Sequence, residues 1–429
     1  MKKSKWLWLG LLGTLLVLSG VLAQQTASLL FVSTQFTPIE EAQRMRQVIL
    51  KDFQGRVEFI PEDNAPFTNR ILSEVRAGRV NVGLAGGLHG DFPPLIAAGA
   101  LDTVDDVMAQ LKDRRFSQTF VNLGKMGTGN QLYIPWMQAT YIMVANRQAL
   151  QYLPAGANVN TLTYTQLKEW AANIQRATGR RMLGFPAGPR GLMHRFTQGY
   201  LYPSYTKSAV TKFRSDEAES MWLEFKNLWQ HVNPQSTSYD FMQEPLLAGE
   251  VWIAWDHIAR LRDALNQKPN EFVAFPAPIG PYGRGFMPVL AGLAIPKGSP
   301  NRAAAVAVIE YLTRPEVQIT TLVQNGFFPV IQVRLPDNLP QGIRMGADAI
   351  ARQAQSNVAL PSLLPVGLGA RGGEYNKVFQ DTFARIVLRN EDVRRVLDSE
   401  AGNLRRIMNE TRAPCWSPDP VSSGACPVN

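Results

Sequence analysis

Residues that could carry acid–base, metal or nucleophilic chemistry are scattered along this chain. The four histidines are far apart and form no H-E-x-x-H pair, so they suggest no metal site; they are His89, His194, His231 and His257. Ser204 and Lys207 match the S-x-x-K pattern, but the companion S-D-N and K-T-G motifs are missing. A glycosidase needs only two carboxylates about 5–10 Å apart across a cleft, and the sequence leaves that alternative open. No cofactor is predicted.

The first residues predict export. Lys2, Lys3 and Lys5 precede an uncharged apolar stretch over residues 6–18, and small residues lead to Ala23. This pattern is typical of a signal peptide over residues 1–23. The alternative is a retained membrane anchor, but the apolar stretch is near the lower limit of about 17 residues for a span. We expect the mature chain in the periplasm or cell envelope.

Composition and charge narrow the function further. A hydrophobic content of 45% is that of a globular protein. The formal net charge is +9, of which the leader's three lysines contribute three, leaving +6 for a chain of about 400 residues, enough for two domains. The basic residues are scattered, whereas nucleic-acid binding requires them concentrated on one face. We therefore predict no nucleic-acid partner.

Two cysteines, Cys415 and Cys426, lie in a Pro- and Gly-containing tail. Because an exported chain meets an oxidising compartment, a disulfide between them is expected. The alternatives are two free thiols or a metal site, and no histidine nearby supports the metal site.

Strand and helix patterns alternate from Ser28 onward. Short apolar runs at residues 29–32, 57–60 and 80–84 read as strands, with helical patterns between them. This alternation predicts a parallel sheet with helices on its faces. Ligands bind such sheets at the carboxyl ends of the strands, so the loops beginning at Ser33, Pro61 and Ala85 are candidate site loops.

A second unit follows, with strands predicted at residues 141–145 and 251–255. Thr163 and Gln166 form a capping box for a helix. A later buried strand over 292–295 leads to Ser299, which is predicted to cap the next helix, with Pro300 in its first position.

The stretch from Pro288 to Ile331 resembles the family-1 extracellular solute-binding proteins of ABC importers, the group that contains maltose-binding protein. The segments that carry the resemblance are residues 292–299, 303–304, 309–313, 315–318 and 325–330. Weaker agreement is found at residues 133–136, 141–146, 162–170 and 246–252. Scattered similarity covers most of the mature chain.

The resemblance implies an α/β, two-lobed periplasmic-binding-protein fold of type II, with a hinge between the lobes and the ligand in the cleft. It implies a monomer that binds a small-molecule ligand, a sugar or oligosaccharide, and delivers it to the permease subunits of an ABC importer. The predicted domains are residues 24–135 with 288–335, residues 136–287 with 336–412, and a tail over 413–429.

Sugar sites pair aromatic rings with fixed donors and acceptors. Strand-end geometry and the resemblance together nominate thirteen residues for such a site. In the first lobe they are Gln35, Phe36, Glu62, Asp63 and His89; at the crossing and in the second lobe they are Trp136, Gln138, Trp255, Asp256, His257, Arg371, Glu374 and Tyr375.

Departures from the family pattern leave the ligand open. The strand after Gly249 ends in Trp255-Asp256-His257 rather than a Gly-Pro-aromatic turn, and the cysteine tail is an addition. A glycerol phosphate ester or another anionic sugar-like ligand is therefore the alternative. A secreted glycoside-processing enzyme and a surface adhesion module are the further rivals.

Overall fold

The computed structural model describes residues 28–429, so the predicted signal peptide lies outside the described residues. Two central sheets organise the chain. The strands are β1 Leu29–Ser33, β2 Val57–Pro61, β3 Val82–Leu88, β4 Ile134–Ala139, β5 Tyr141–Asn146, β6 Leu183–Gly184, β7 Ile253–His257, β8 Phe272–Phe275, β9 Arg284–Phe286, β10 Val289–Ala294 and β11 Ala359–Pro361.

Helices pack on both sheets. They are α1 Ile39–Arg44, α2 Asn64–Arg76, α3 Pro93–Ala97, α4 Asp105–Gln110, α5 Gln118–Gly124, α6 Tyr164–Thr178, α7 Met193–Phe196, α8 Tyr202–Thr206, α9 Asp216–Trp229, α10 Gln243–Leu247, α11 Ile258–Gln267, α12 Arg302–Leu312, α13 Pro315–Asn325, α14 Gln341–Ala354, α15 Gly372–Phe383 and α16 Val393–Thr411.

The first sheet has the order β2-β1-β3-β10-β4. Strand β1 pairs in parallel with β2 and β3, as predicted, whereas β10 is antiparallel to β3 and β4. Both faces are covered: Phe31 and Val32 are neighbours in β1, yet each is fully buried in a different apolar cluster. This follows from the two-residue period of a strand, which sends successive side chains to opposite faces. We call this sheet with its helices the first lobe.

The second sheet has the order β6-β7-β5-β8 and, with its helices, forms the second lobe. The chain passes from the first sheet to the second at Thr140 and returns at Met287, where the Thr140 hydroxyl donates to the Met287 carbonyl at 2.9 Å. Strand β4 stays in the first sheet as far as Ala139, past the boundary predicted at residue 135. The two lobes are thus joined by crossing segments that bond to each other, a geometry suited to a hinge.

Local sequence signals can be compared with the structure directly. The capping box is confirmed, since the Thr163 hydroxyl accepts the Gln166 N–H at 3.2 Å and the Gln166 carbonyl side chain accepts the Thr163 N–H at 3.0 Å. The predicted disulfide is present. The predicted start of α12 is wrong. The helix begins at Arg302, so Pro300 precedes it, and Asn301 caps it by accepting from the backbone. The Ser299 hydroxyl instead donates to a carbonyl of β3.

Candidate ligand-binding site

A cavity of about 430 Å3 lies between the lobes. Its walls come from the strand-end loops of the first lobe and from α7, α15 and the segment before α15 in the second. The lining residues are Asn64, Ala65, Leu88, Gly90, Asp91, Arg195, Leu364, Pro365, Leu368, Gly369, Gly372, Gly373 and Asn376. Larger surface depressions of about 660 and 800 Å3 are each lined by one lobe alone. Of these three, the interlobe cavity is the one that can couple a ligand to lobe closure.

Asp91 organises the first-lobe wall. One of its carboxylate oxygens accepts from the Thr34 hydroxyl at 2.6 Å and from the Leu88 N–H at 2.7 Å, and the other accepts from the Asn64 amide at 2.7 Å. Thr34 follows β1, Asn64 begins α2 after β2, and Asp91 follows β3. Burial raises the pKa of Asp91, although these hydrogen bonds and the charge of Arg195 oppose that rise. One carboxylate therefore ties together the three loops at the carboxyl ends of the parallel strands.

Arg195 and Asn376 supply the polar groups of the second-lobe wall. Arg195 donates to the Gln198 side-chain oxygen at 3.3 Å, and Gln198 donates to the Asn376 side-chain oxygen at 3.1 Å. Gln198 is buried, so it can hold both cavity-lining side chains in place. No salt bridge of the described residues involves Arg195, and no aromatic residue lines this cavity within them.

The first-lobe residues nominated from the sequence lie beside the cavity without lining it. Gln35 and Phe36 are buried, and Phe36 packs against other rings with a φ of 63°. Glu62 forms a salt bridge with an arginine of α2, and Asp63 is exposed at the N-terminus of α2. His89 bonds the hydroxyl of a buried tyrosine at 2.8 Å, and burial lowers its pKa to about 4.

The three nominated aromatic residues of the crossing and second lobe are fully buried. Trp136, Trp255 and Tyr375 are each 0% exposed. Each packs against other rings, which are Phe31 and Phe36 for Trp136, Tyr141, Phe196 and Tyr200 for Trp255, and Phe379 and Trp416 for Tyr375. Because both tryptophans lie inside strands rather than beyond their ends, packing directs their rings into the core.

The remaining nominated residues lie near the hinge or on the surface. The side-chain amide of Gln138 donates to the backbone carbonyl of Pro329, in the segment after α13, at 2.8 Å. His257 caps α11 through its ring nitrogen, and burial lowers its pKa to about 3, which keeps the ring neutral. Arg371 and Glu374 pair with each other at 2.7 Å on the surface, outside the cavity.

Asp256 carries an expected pH effect on stability. Burial raises its pKa to about 7, although Arg260 and the backbone N–H groups of Met242 and His257 oppose this. The folded-state pKa lies above the ordinary 3.8, so the fold favours the protonated carboxyl. The contribution of this group to stability is fully present below about pH 3.8 and is lost as the pH rises through 7.

We therefore expect the stability difference between the wild type and Asp256→Asn to move in the variant's favour from pH 5 to pH 8. The slope is at most about 1.4 kcal/mol per pH unit, for one proton. Urea unfolding of both proteins at three pH values measures it, and the neutral His257 is common to both. A stability difference that is the same at all three pH values would reflect only the lost acceptor and would contradict the raised pKa.

The residues nominated in the first lobe lie in the same loops as the cavity-lining residues, or next to them in sequence, but are not the ones that line the cavity. Asn64 directly follows the nominated Asp63, and Asp91 is two positions after His89. In the second lobe, Arg195 and Asn376 lie on helices with no strand-end signal, and no local pattern could have singled them out.

Two further properties concern residues 28–429 only. No group of three or more His, Cys, Asp or Glu side chains is placed to hold a metal ion there. No helix in this range combines the length and apolar character that crossing a bilayer requires.

Several solved structures share this architecture. The sugar-binding protein MalE from Xanthomonas citri aligns with a TM-score of 0.71 and 15% identity over 90% of this chain and 98% of that chain. Maltose-bound MalE3 from T. maritima aligns with a TM-score of 0.70 and 17% identity, over 89% of this chain and 99% of that chain. UgpB from Mycobacterium tuberculosis, in complex with glycerophosphocholine, aligns with a TM-score of 0.69 and 17% identity, over 89% of this chain and 98% of that chain. These likenesses confirm the predicted two-lobed periplasmic-binding-protein fold of type II.

Sequence comparison identifies the family. No curated protein is similar enough in sequence to add a close relative. The family profile described as bacterial extracellular solute-binding protein matches residues 40–319, well over half of the chain, and the protein therefore belongs to that family.

Proposed function

We propose that this solute-binding protein closes its lobes on a sugar or oligosaccharide and delivers it to the permease subunits of an ABC importer from the periplasm or cell envelope. The observation that carries this is the interlobe cavity, whose polar side chains come from both lobes: Asn64 and Asp91 from one, Arg195 and Asn376 from the other. Carboxylate, guanidinium and amide groups together match the donor and acceptor pattern of sugar hydroxyls. The role requires no turnover.

The size of the cavity and the structural relatives support the same conclusion. About 430 Å3 falls within the usual range of small-molecule sites, about 300–1,000 Å3. MalE3 was solved with maltose bound.

A glycerol phosphate ester or similar anionic ligand is the second candidate. Arg195 faces the cavity without a salt-bridge partner among the described residues, and a guanidinium is well suited to phosphate. Within residues 28–429, no aromatic side chain forms the wall that sugar sites commonly have. UgpB, a structural relative, was solved with glycerophosphocholine.

Calorimetric titration against mono- and oligosaccharides, run beside glycerol phosphate esters, distinguishes the candidates. Binding of a sugar supports the first, and binding of an ester alone replaces it with the second. Turnover of a glycoside without stable binding would favour an enzyme instead. Native mass spectrometry of protein purified from its host identifies a ligand that co-purifies.

Closure itself can be tested at Gly90. A methyl group added there would lie 2.8 Å from the carbonyl oxygen of Pro365 in the opposite lobe, closer than atoms normally approach. Overpacking of this kind costs about 1–3 kcal/mol and destabilises only the closed form, so Gly90→Ala is expected to raise the Kd roughly five- to more than a hundredfold. Its melting temperature should change little. Gly402→Ala, where nothing lies within 4 Å of the added methyl, is the control; equal affinities for both variants would contradict the contact.

A further inference from the structure

Part of the second-lobe side of the cavity, between β11 and α15, is irregular in structure. Residues 362–368, which we call the cavity wall, lie outside helices and strands and contribute Leu364, Pro365 and Leu368 to the cavity. A segment without its own hydrogen-bond ladder depends on neighbouring elements for its position.

The C-terminal tail, residues 413–429, supports this wall from behind. The N–H of Leu363 donates to the Ser417 carbonyl at 2.8 Å, and the Ser417 hydroxyl donates to the carbonyl of Pro361 at 2.7 Å. Gly367, with a φ of 75°, approaches the tail so closely that an added methyl would lie 3.3 Å from Ala413. Trp416, which is buried, packs edge-on against a tyrosine of α15, the helix that carries Asn376.

The tail is itself held in place at several points. The disulfide between Cys415 and Cys426 encloses Asp419, a buried carboxylate. Asp419 accepts hydrogen bonds from the backbone N–H groups of residues 209–211 and from the hydroxyls of Ser208 and Thr211, at 2.5–3.0 Å. These contacts fix the tail to the body of the second lobe.

We propose that the disulfide-closed tail is a positioning element for the cavity wall and thereby sets the affinity for the ligand. The tail touches the wall but lines no part of the cavity, so its effect must act through the wall. With the disulfide open, residues 413–417 gain freedom, and the backbone contact between Ser417 and Leu363 weakens. The affinity part of this inference rests on the proposed function, whereas the ordering of the wall does not.

The test compares the wild type with the double variant Cys415→Ser/Cys426→Ser and with Ser417→Ala. Ser417→Ala removes only the hydroxyl contact, so it tests the proposal even if the double variant does not fold. Ile174→Ala, a buried truncation in α6 away from the cavity, is the control for lost stability. Hydrogen–deuterium exchange of the Leu363, Leu364 and Val366 amides is measured without ligand, well below each melting temperature. Titrations use maltose and glycerophosphocholine as probes.

We expect faster exchange in the wall and a Kd raised about fivefold in the tail variants, with neither change in Ile174→Ala. Unchanged exchange in the tail variants, or equal changes in the control, would overturn the proposal. If the wild type binds neither probe, these two compounds are not its ligands, and the exchange experiment alone still decides whether the tail positions the wall.

Discussion

Truncation of Trp255 to alanine is expected to lower the free energy of unfolding by about 3–5 kcal/mol, the usual cost of removing a large aromatic side chain from a core. The indole is 0% exposed and stacks on Tyr141 with ring centroids 4.9 Å apart and planes 6° apart. Phe196 and Tyr200 approach it edge-on at 5.0 and 5.2 Å. No neighbouring side chain can fill the space without giving up its own packing.

Urea or thermal unfolding measures this cost, with Trp252→Ala as the matched control. Trp252 lies three positions earlier, is only partly buried and stacks on a single ring, that of Tyr152, so its truncation should cost clearly less. The sequence alone nominates Trp255 as a ligand contact, which makes the opposite prediction. A variant that melts like the wild type but loses ligand would show that the nomination is correct and that the ring does not act as core.

Replacement of Arg195 by methionine is expected to weaken ligand binding with little loss of stability. Methionine keeps an apolar stem of similar length and removes the guanidinium. A hydrogen bond to a charged group contributes about 1.5–3 kcal/mol, which corresponds to a Kd raised roughly ten- to more than a hundredfold. The only hydrogen bond that the Arg195 side chain donates within the described residues, to Gln198, is long at 3.3 Å, so the fold depends on that side chain little.

Calorimetric titration of Arg195→Met beside Arg371→Met tests this. Arg371 is also an arginine of the second lobe, but it pairs with Glu374 and Glu410 outside the cavity, and its replacement should leave the Kd near the wild-type value. Equal affinities for the wild type and Arg195→Met would remove Arg195 from the site. A loss that shrinks at high salt would indicate an anionic ligand, since salt screens the attraction between Arg195 and an anion but not a hydrogen bond to a neutral sugar hydroxyl.

Signals that depend on neighbours in sequence could be predicted from the chain alone. The Thr163 capping box, the Cys415–Cys426 pair and the strands around Phe31 and Phe59 involve residues close together or a short repeating pattern. Their geometry is set mainly by the local backbone, so composition and spacing suffice. The same reasoning placed the site at the loops after β1, β2 and β3, because parallel strands must end at one edge of the sheet.

The choice of which side chain in each loop faces the cavity depends on contacts between residues far apart in the sequence. The His89 ring bonds the hydroxyl of Tyr133, a residue 44 positions away. Asp91 instead accepts hydrogen bonds from Thr34 and Asn64, which lie in two other loops. The opposite wall depends on still longer separations, since Gln198 reaches Asn376 across 178 residues. The residue pattern alone identified the family and most of the strands and helices, and it predicted the edge of the first sheet at which a ligand is expected. Long-range packing determined that polar Asp91, Arg195 and Asn376 line the cavity while the nominated aromatic rings lie in the core, because that choice depends on partners that no local pattern specifies.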